Sequence, residues 1–258
     1  DVDAIYVATP NQLHYENTLM ALAAGKPVLC EKPFAVNANQ AIEMADLAHT
    51  KNLLLMEAMW TRYLPHIQVL REILEDIGEI EHLIAVHAQI LTHVTRLTSP
   101  EYAGGALLDL GIYPVSFAHM VLGKPKKINA SGIIKNGVDT HTSAIFDYEK
   151  SSQALINTTF TTKSANFAVI GGTKGRIELP ESFYKPTFIR LITNDGISKE
   201  YPNQYQGIGL REQAIYFEEL LSNGKKDSEL LPISESISIM QSLDEIRKQI
   251  GLRFPIEC

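Results

Sequence analysis

No G-x-G-x-x-G run occurs anywhere in the 258 residues. The chain therefore lacks the glycine loop that cradles a pyrophosphate at a helix N-terminus. Cysteine is nearly missing as well. Cys30 and Cys258 are the only two, and they make neither a disulfide framework nor a zinc set. A reducing, cytoplasmic setting is expected. Basic residues are outnumbered, 23 Lys and Arg against 30 Asp and Glu, for a net charge of −7. That argues against a nucleic-acid groove, which needs a basic face. No apolar run approaches the ~20 residues of a membrane span, so no membrane partner is expected. His66, His82, His87, His93, His119 and His141 show no metal-ligand spacing, and no metal site is expected.

Hydrophobic residues make up 45% of the chain, enough for a substantial core in two modest domains. The first part alternates strand and helix. Ala4-Ile5-Tyr6-Val7-Ala8 is a continuous apolar run, as in strands covered on both faces. Thr9-Pro10-Asn11 makes a turn with Asn11 as expected helix N-cap, and Gly25 stops that helix. A strand over Val28 to Glu31, a helix from Asn37 or Asn39, and a strand over Leu53-Leu54-Leu55-Met56 follow. This order predicts a parallel, right-handed sheet. Because the chain starts at Asp1-Val2-Asp3 and enters a strand almost at once, it reads as a parallel α/β domain short of its first part.

Pro65 opens a helix with Ile67, Leu70, Ile73, Leu74 and Ile77 on one face, ended by Gly78. The character then changes. Segments 80–91, 126–135, 142–148, 153–161, 166–170, 175–179, 187–193 and 197–201 read as strands, with hairpin turns at 171–175 and 194–196. A helical insert near 106–121 lies between the first two, and two helices close the chain. The predicted architecture is α/β followed by α+β. A truncated parallel sheet over 1–62 precedes a large, mostly antiparallel, open-faced sheet with flanking helices over 63–258. Apolar residues at both alternating positions, such as Ala144 and Ile145 or Leu155 and Ile156, leave one face in need of cover. A homodimer through it is expected.

Glu31-Lys32-Pro33 directly follows the strand Val28-Leu29-Cys30. Ligands of open α/β sheets bind at the carboxyl ends of strands, and a lysine there is positioned to touch one. The plainer reading is a surface lysine in a turn. Glu31 either pairs with that ammonium or sits in water. Asp109 and Tyr113 are spaced i, i+4, which puts them on one helix face; Pro114 removes a backbone bond and can kink that face. Tyr113 is either a proton donor and acceptor or a packed ring, with Asp109 as a cap. Trp60 is either a pocket wall or ordinary packing. Arg96 either reaches the mouth of the substrate or cofactor site or, the plainer reading, is solvated surface.

Four blocks in order resemble the Gfo/Idh/MocA family of NAD(P)-dependent oxidoreductases. They are the first strand with Thr9-Pro10-Asn11 and His14; Glu31-Lys32-Pro33; Glu57 to Pro65; and Gly104-Gly105-Ala106-Leu107-Leu108-Asp109-Leu110-Gly111-Ile112-Tyr113-Pro114. The last two are similar to the dimeric dihydrodiol dehydrogenase and D-xylose 1-dehydrogenase branch. The resemblance implies hydride transfer between NAD or NADP and a secondary alcohol or carbonyl of a cyclic diol or sugar. It implies Lys32, Asp109 and Tyr113 as catalytic residues, and cofactor contacts from Thr9, Asn11, His14, Glu31, Lys32, Trp60 and Arg62. The family's glycine loop lies upstream of where these residues start, so they are expected to be inactive alone. A non-catalytic binding or assembly module is the alternative if the native protein also lacks the loop.

Overall fold

The computed structural model describes residues 2–257; Asp1 and Cys258 lie outside the described residues. Three short strands, β1 (Ile5–Val7), β2 (Val28–Glu31) and β3 (Leu55–Ala58), form a parallel sheet in that order. Helices α1 (His14–Ala23) and α2 (Ala38–Lys51) connect them. β2 and β3 are apolar along nearly their whole length and almost entirely buried, as strands covered on both faces must be. The side chain of Asn37 caps α2 by accepting from the Gln40 N–H at 3.0 Å. Asn11 plays no such part: it begins a single 3-10 turn, and α1 starts at His14 without a side-chain cap. β3 starts two residues later than the apolar run suggests, because Leu53 closes α2 through its N–H to the Ala48 carbonyl.

After helix α3 (Pro65–Ile73), opened by its proline at the first turn, comes an eight-stranded sheet. Its strands are β4 (Ile80–Ala88), β5 (Lys127–Lys135), β6 (Val138–Asp147), β7 (Gln153–Thr159), β8 (Ala168–Gly172), β9 (Gly175–Leu179), β10 (Ile189–Thr193) and β11 (Ser198–Tyr201). Their order is β11-β10-β9-β8-β4-β7-β6-β5, antiparallel except between β4 and β7. The inner face carries Leu83, Ala85, Ala144, Phe146, Ile156, Ile170 and Ile177, all buried. It packs under helices α5 (Ile112–Leu122) and α7 (Ile233–Ile250). On the outer face Ile133, Ile145 and Leu155 are exposed, whereas toward β11 the same face carries the ion pairs of Arg190 with Glu178 and Glu200. The short helix α4 (Thr95–Thr98) and helix α6 (Glu212–Ser222) complete the fold.

The insert that leads into α5 decides the site. Residues Pro100–Leu122 are apolar enough to match a membrane span in length, yet 83% of the most apolar window is buried inside the protein, so this apolarity serves the core. Leu107–Gly111 is a π-helical turn, and Pro114 accounts for it. In a regular helix the Leu110 carbonyl would accept from residue 114, whose nitrogen carries no hydrogen. His87 Nδ1 contacts that carbonyl at 3.1 Å instead.

Candidate active site

Lys32 leaves the end of β2 on a cis Lys32-Pro33 peptide bond and reaches across to the insert. Its ammonium donates to the Asp109 main-chain carbonyl at 2.8 Å and to Asp109 Oδ1 at 3.2 Å. The π spacing would pair that carbonyl with Pro114, which has no N–H to offer, so the lysine takes it. Arg96 Nη1 grips the same carboxylate at 2.7 Å. The Lys32 side chain is 13% exposed and that of Asp109 7%. Burial alone pushes the lysine pKa down, but the Asp109 carboxylate outweighs it and the ammonium ends above its ordinary value. Burial pushes Asp109 up, and Lys32 and Arg96 together pull it below the usual carboxylate range. Both groups stay charged at neutral pH.

Tyr113 stands beside this pair. The Lys32 ammonium lies 4.9 Å from the centre of its ring. Trp60 Nε1 donates to the Tyr113 hydroxyl at 3.0 Å. An indole N–H can only donate, so the phenol oxygen accepts there and keeps its own hydrogen for another partner. His87 packs against the Tyr113 ring at 5.0 Å and stacks on Tyr184 at 4.0 Å. Together with Glu31, Gln89 and Leu210, these side chains line an open cavity of about 330 Å³. It lies between the carboxyl ends of the parallel strands and the large sheet, where ligand sites concentrate.

The expected site residues divide. Lys32, Asp109, Tyr113, Trp60 and Glu31 meet in the cleft. Glu31 does not hold the Lys32 ammonium, however. Its carboxylate accepts from the Tyr6 hydroxyl and from the Lys32 backbone N–H, and Asp109 takes the charge pairing instead. Arg62 is turned away: its guanidinium is buried on the Ser116 carbonyl and the Glu235 carboxylate. The His14 ring bridges the Thr9 and Pro33 carbonyls at 2.8 Å each, so it braces two strand ends and has no free nitrogen for a ligand. The Thr9 hydroxyl accepts from Asn17. Arg96, expected to be solvated surface, is a partner of Asp109.

The residues present fit the nicotinamide end of a dinucleotide. β2 and β3 end at the cleft and a fixed cation stands there; Thr9 and Asn11 follow the end of β1 but do not line this cavity. The pyrophosphate cradle has no counterpart in the sequence. Sequence reasoning missed His87, Gln89 and Tyr184. For the first two a signal existed: they continue the inward set Leu83, Ala85 on β4, where further apolar residues would be expected.

Residues 1–59 match the family model described as an oxidoreductase family with an NAD-binding Rossmann fold. Residues 67–178 match the GFO/IDH/MocA C-terminal domain. The trans-1,2-dihydrobenzene-1,2-diol dehydrogenase of Bos taurus is 37% identical over 269 residues, covering 99% of this chain and 79% of the relative. The human enzyme of that name is 37% identical over 267 residues, covering 98% and 79%. Among solved structures, a 3-ketoreductase from Actinomadura kijaniata in complex with TDP-benzene and NADP superposes with a TM-score of 0.83 at 26% identity, covering 97% of this chain and 78% of the other. An aldose-aldose oxidoreductase from Caulobacter crescentus, at 21% identity, shares the fold with a TM-score of 0.85, covering 97% and 77%.

Proposed function

This chain belongs to the Gfo/Idh/MocA family of NAD(P)-dependent oxidoreductases, and on that premise we propose that it oxidises a secondary hydroxyl of a diol or sugar, or reduces the matching carbonyl, at the cleft of Lys32, Asp109 and Tyr113. The observation that carries this reading is convergence. Lys32 and Asp109 lie 77 residues apart in sequence, yet the ammonium and carboxylate meet at 3.2 Å with the Tyr113 ring alongside.

Each residue has a role that follows from its surroundings. The Tyr113 oxygen, its position fixed by Trp60, exchanges the proton of the reacting hydroxyl. The Lys32 ammonium, charged and immobilised, stabilises negative charge developing on the substrate oxygen. Asp109 fixes that ammonium through both its carbonyl and its carboxylate, so little reorganisation is needed when charge develops. Trp60 walls the cavity. A bound nicotinamide supplies the hydride acceptor or donor.

The test is oxidation of trans-cyclohexane-1,2-diol and of D-xylose with NAD and with NADP by the full-length protein. The Tyr113→Phe enzyme is expected to lose roughly 10²–10⁴-fold in turnover. Near wild-type turnover in that variant would put the proton acceptor elsewhere.

A homodimer through the outer face of the large sheet belongs to the same proposal. Ile133, Ile145 and Leu155 form an exposed apolar group there, and no helix covers it among the described residues. Such a patch marks an interaction surface. Light scattering at micromolar concentration should report twice the chain mass; a monomer would count against it.

A further inference from the structure

The wall of the cleft opposite Lys32 is more polar than a wall needs to be. His87 Nδ1 faces the Leu110 carbonyl at 3.1 Å. A carbonyl only accepts, so Nδ1 carries the hydrogen and Nε2 is left as an acceptor. Burial, with Lys32 adding to it, holds the imidazole down at about 3, so the ring is neutral and this tautomer holds at neutral pH. The amide nitrogen of Gln89 lies 2.8 Å from His87 Nε2 and 2.9 Å from the Tyr184 hydroxyl. One hydrogen of that amide satisfies the histidine, and the other is donated to the phenol oxygen. Donation runs outward from the Gln89 amide, through His87 to the Leu110 carbonyl on one side and to the Tyr184 oxygen on the other. That phenol oxygen, which the Ser182 side chain also bonds, is an acceptor, and its own hydrogen is left for the cavity.

Tyr113 is in the same condition, with Trp60 in the place of Gln89. The two rings are 5.3 Å apart. Burial raises the Tyr184 phenol, Ser182 beside it works against that, and Tyr113 adds to it, so Tyr184 remains a neutral donor. Two phenols with oriented oxygens and free hydrogens thus face one cavity, and only one stands beside the lysine. A wall serving only to exclude water would be apolar at these positions. Burying a histidine on the core-facing side of β4 costs free energy unless its hydrogen bonds are made.

We propose that Tyr184, oriented by Gln89 and His87, donates to a second hydroxyl next to the reacting one. This rests on the diol or sugar reading above and adds the residue that selects such a substrate over a simple secondary alcohol.

The experiment compares matched pairs in the full-length protein: trans-cyclohexane-1,2-diol against cyclohexanol, and D-xylose against its 2-deoxy counterpart, each with NAD and NADP. The quantity read is the ratio of kcat/KM within a pair. Wild type should favour the dihydroxy partner. Tyr184→Phe keeps the ring, removes the donor, and should lower that ratio about 10- to 100-fold. Gln89→Leu, at a half-exposed position that a folded protein tolerates, should lower it about 3- to 10-fold through loss of orientation. The diol's dissociation constant, measured by calorimetry, should weaken in parallel. A purely structural role would reduce both members of a pair equally and leave the ratio unchanged. That result, with an active wild type, overturns the second-hydroxyl contact and leaves the oxidoreductase reading standing. A wild type that oxidises none of the four compounds with either cofactor overturns the oxidoreductase reading at this site, and this inference with it.

Discussion

Asp109 and Asp139 are both buried against the same stretch of helix, and they are held in opposite states. Asp109 faces Lys32 and Arg96 and is kept charged, its pKa below the usual range. Asp139 sits at the foot of the insert. Its Oδ2 accepts from the Leu107 N–H at 2.9 Å and from the Thr142 hydroxyl at 2.7 Å. Its Oδ1 presses on Gly105, where a Cβ would come within 2.1 Å of it; with φ at +118° there, glycine is required twice over. Burial pushes the carboxyl up to about 7, against its hydrogen bonds and the pull of Arg247. Identical side chains at similar depth thus serve different ends. One is a charge that fixes the ammonium in the cleft. The other is a hydrogen-bonding anchor that starts the π turn carrying the first.

The largest break in this contrast comes from Lys32→Met. The stabilising charge leaves the cleft, and Asp109 keeps only the half-exposed Arg96. Turnover should fall by about 10²–10³-fold, and KM should rise as well; steady-state kinetics with a diol substrate would show it. Retention of most turnover would mean that the lysine is a structural tie. Asp109→Asn should cost less, about 10- to 100-fold, because the main-chain carbonyl still holds the ammonium. It should also remove stability that is present at neutral pH and lost as pH falls through the carboxylate range. Thermal melts at pH 7 and pH 4 would reveal this: the gap between variant and wild type should shrink in acid.

Asp139→Asn sharpens the comparison from the other side. In the unfolded chain this carboxyl ionises near 4, but in the folded protein at about 7. As pH rises between those values, the unfolded state gains a charge that the folded state refuses. Wild-type stability therefore falls across this window by on the order of 4 kcal/mol and levels off above it. The asparagine variant should lack that fall. Urea midpoints of both proteins at pH 5 and pH 8 give the difference directly, and parallel behaviour would mean that Asp139 is ionised like any surface carboxylate.

Lys32 was legible from sequence because a strand end in a parallel sheet is a known place for ligands, and three covered strands announce themselves by continuous apolar runs. The large sheet was legible through its turns at 171–175 and 194–196. Spacing put Asp109 and Tyr113 on one helix face without deciding between a cap with a packed ring and a working pair, and it was the family resemblance that singled them out; Pro114 gave warning of irregularity, but not that a π turn would free two carbonyls. Arg96 was not legible. It reaches Asp109 from a four-residue helix thirteen positions earlier, and local pattern says nothing about such contacts. Arg62 failed for the opposite reason: it stands in a 3-10 turn just after β3, yet Glu235, 173 residues away, draws it inward. Tyr184 follows a stretch with no regular structure and left no signal.

Lys32 has one anchor made of side chain and one made of main chain. The main-chain anchor depends on the path of the polypeptide around Pro114 and not on which residue occupies position 109. The surfaces that contact the remainder of a substrate are carried elsewhere, His87 and Gln89 on or just beyond β4 and Tyr184 on the segment before β10. Reaction centre and selectivity wall are therefore separately mutable. A descendant, natural or engineered, can exchange the wall to accept a new substrate while the chemistry of the cleft is inherited intact.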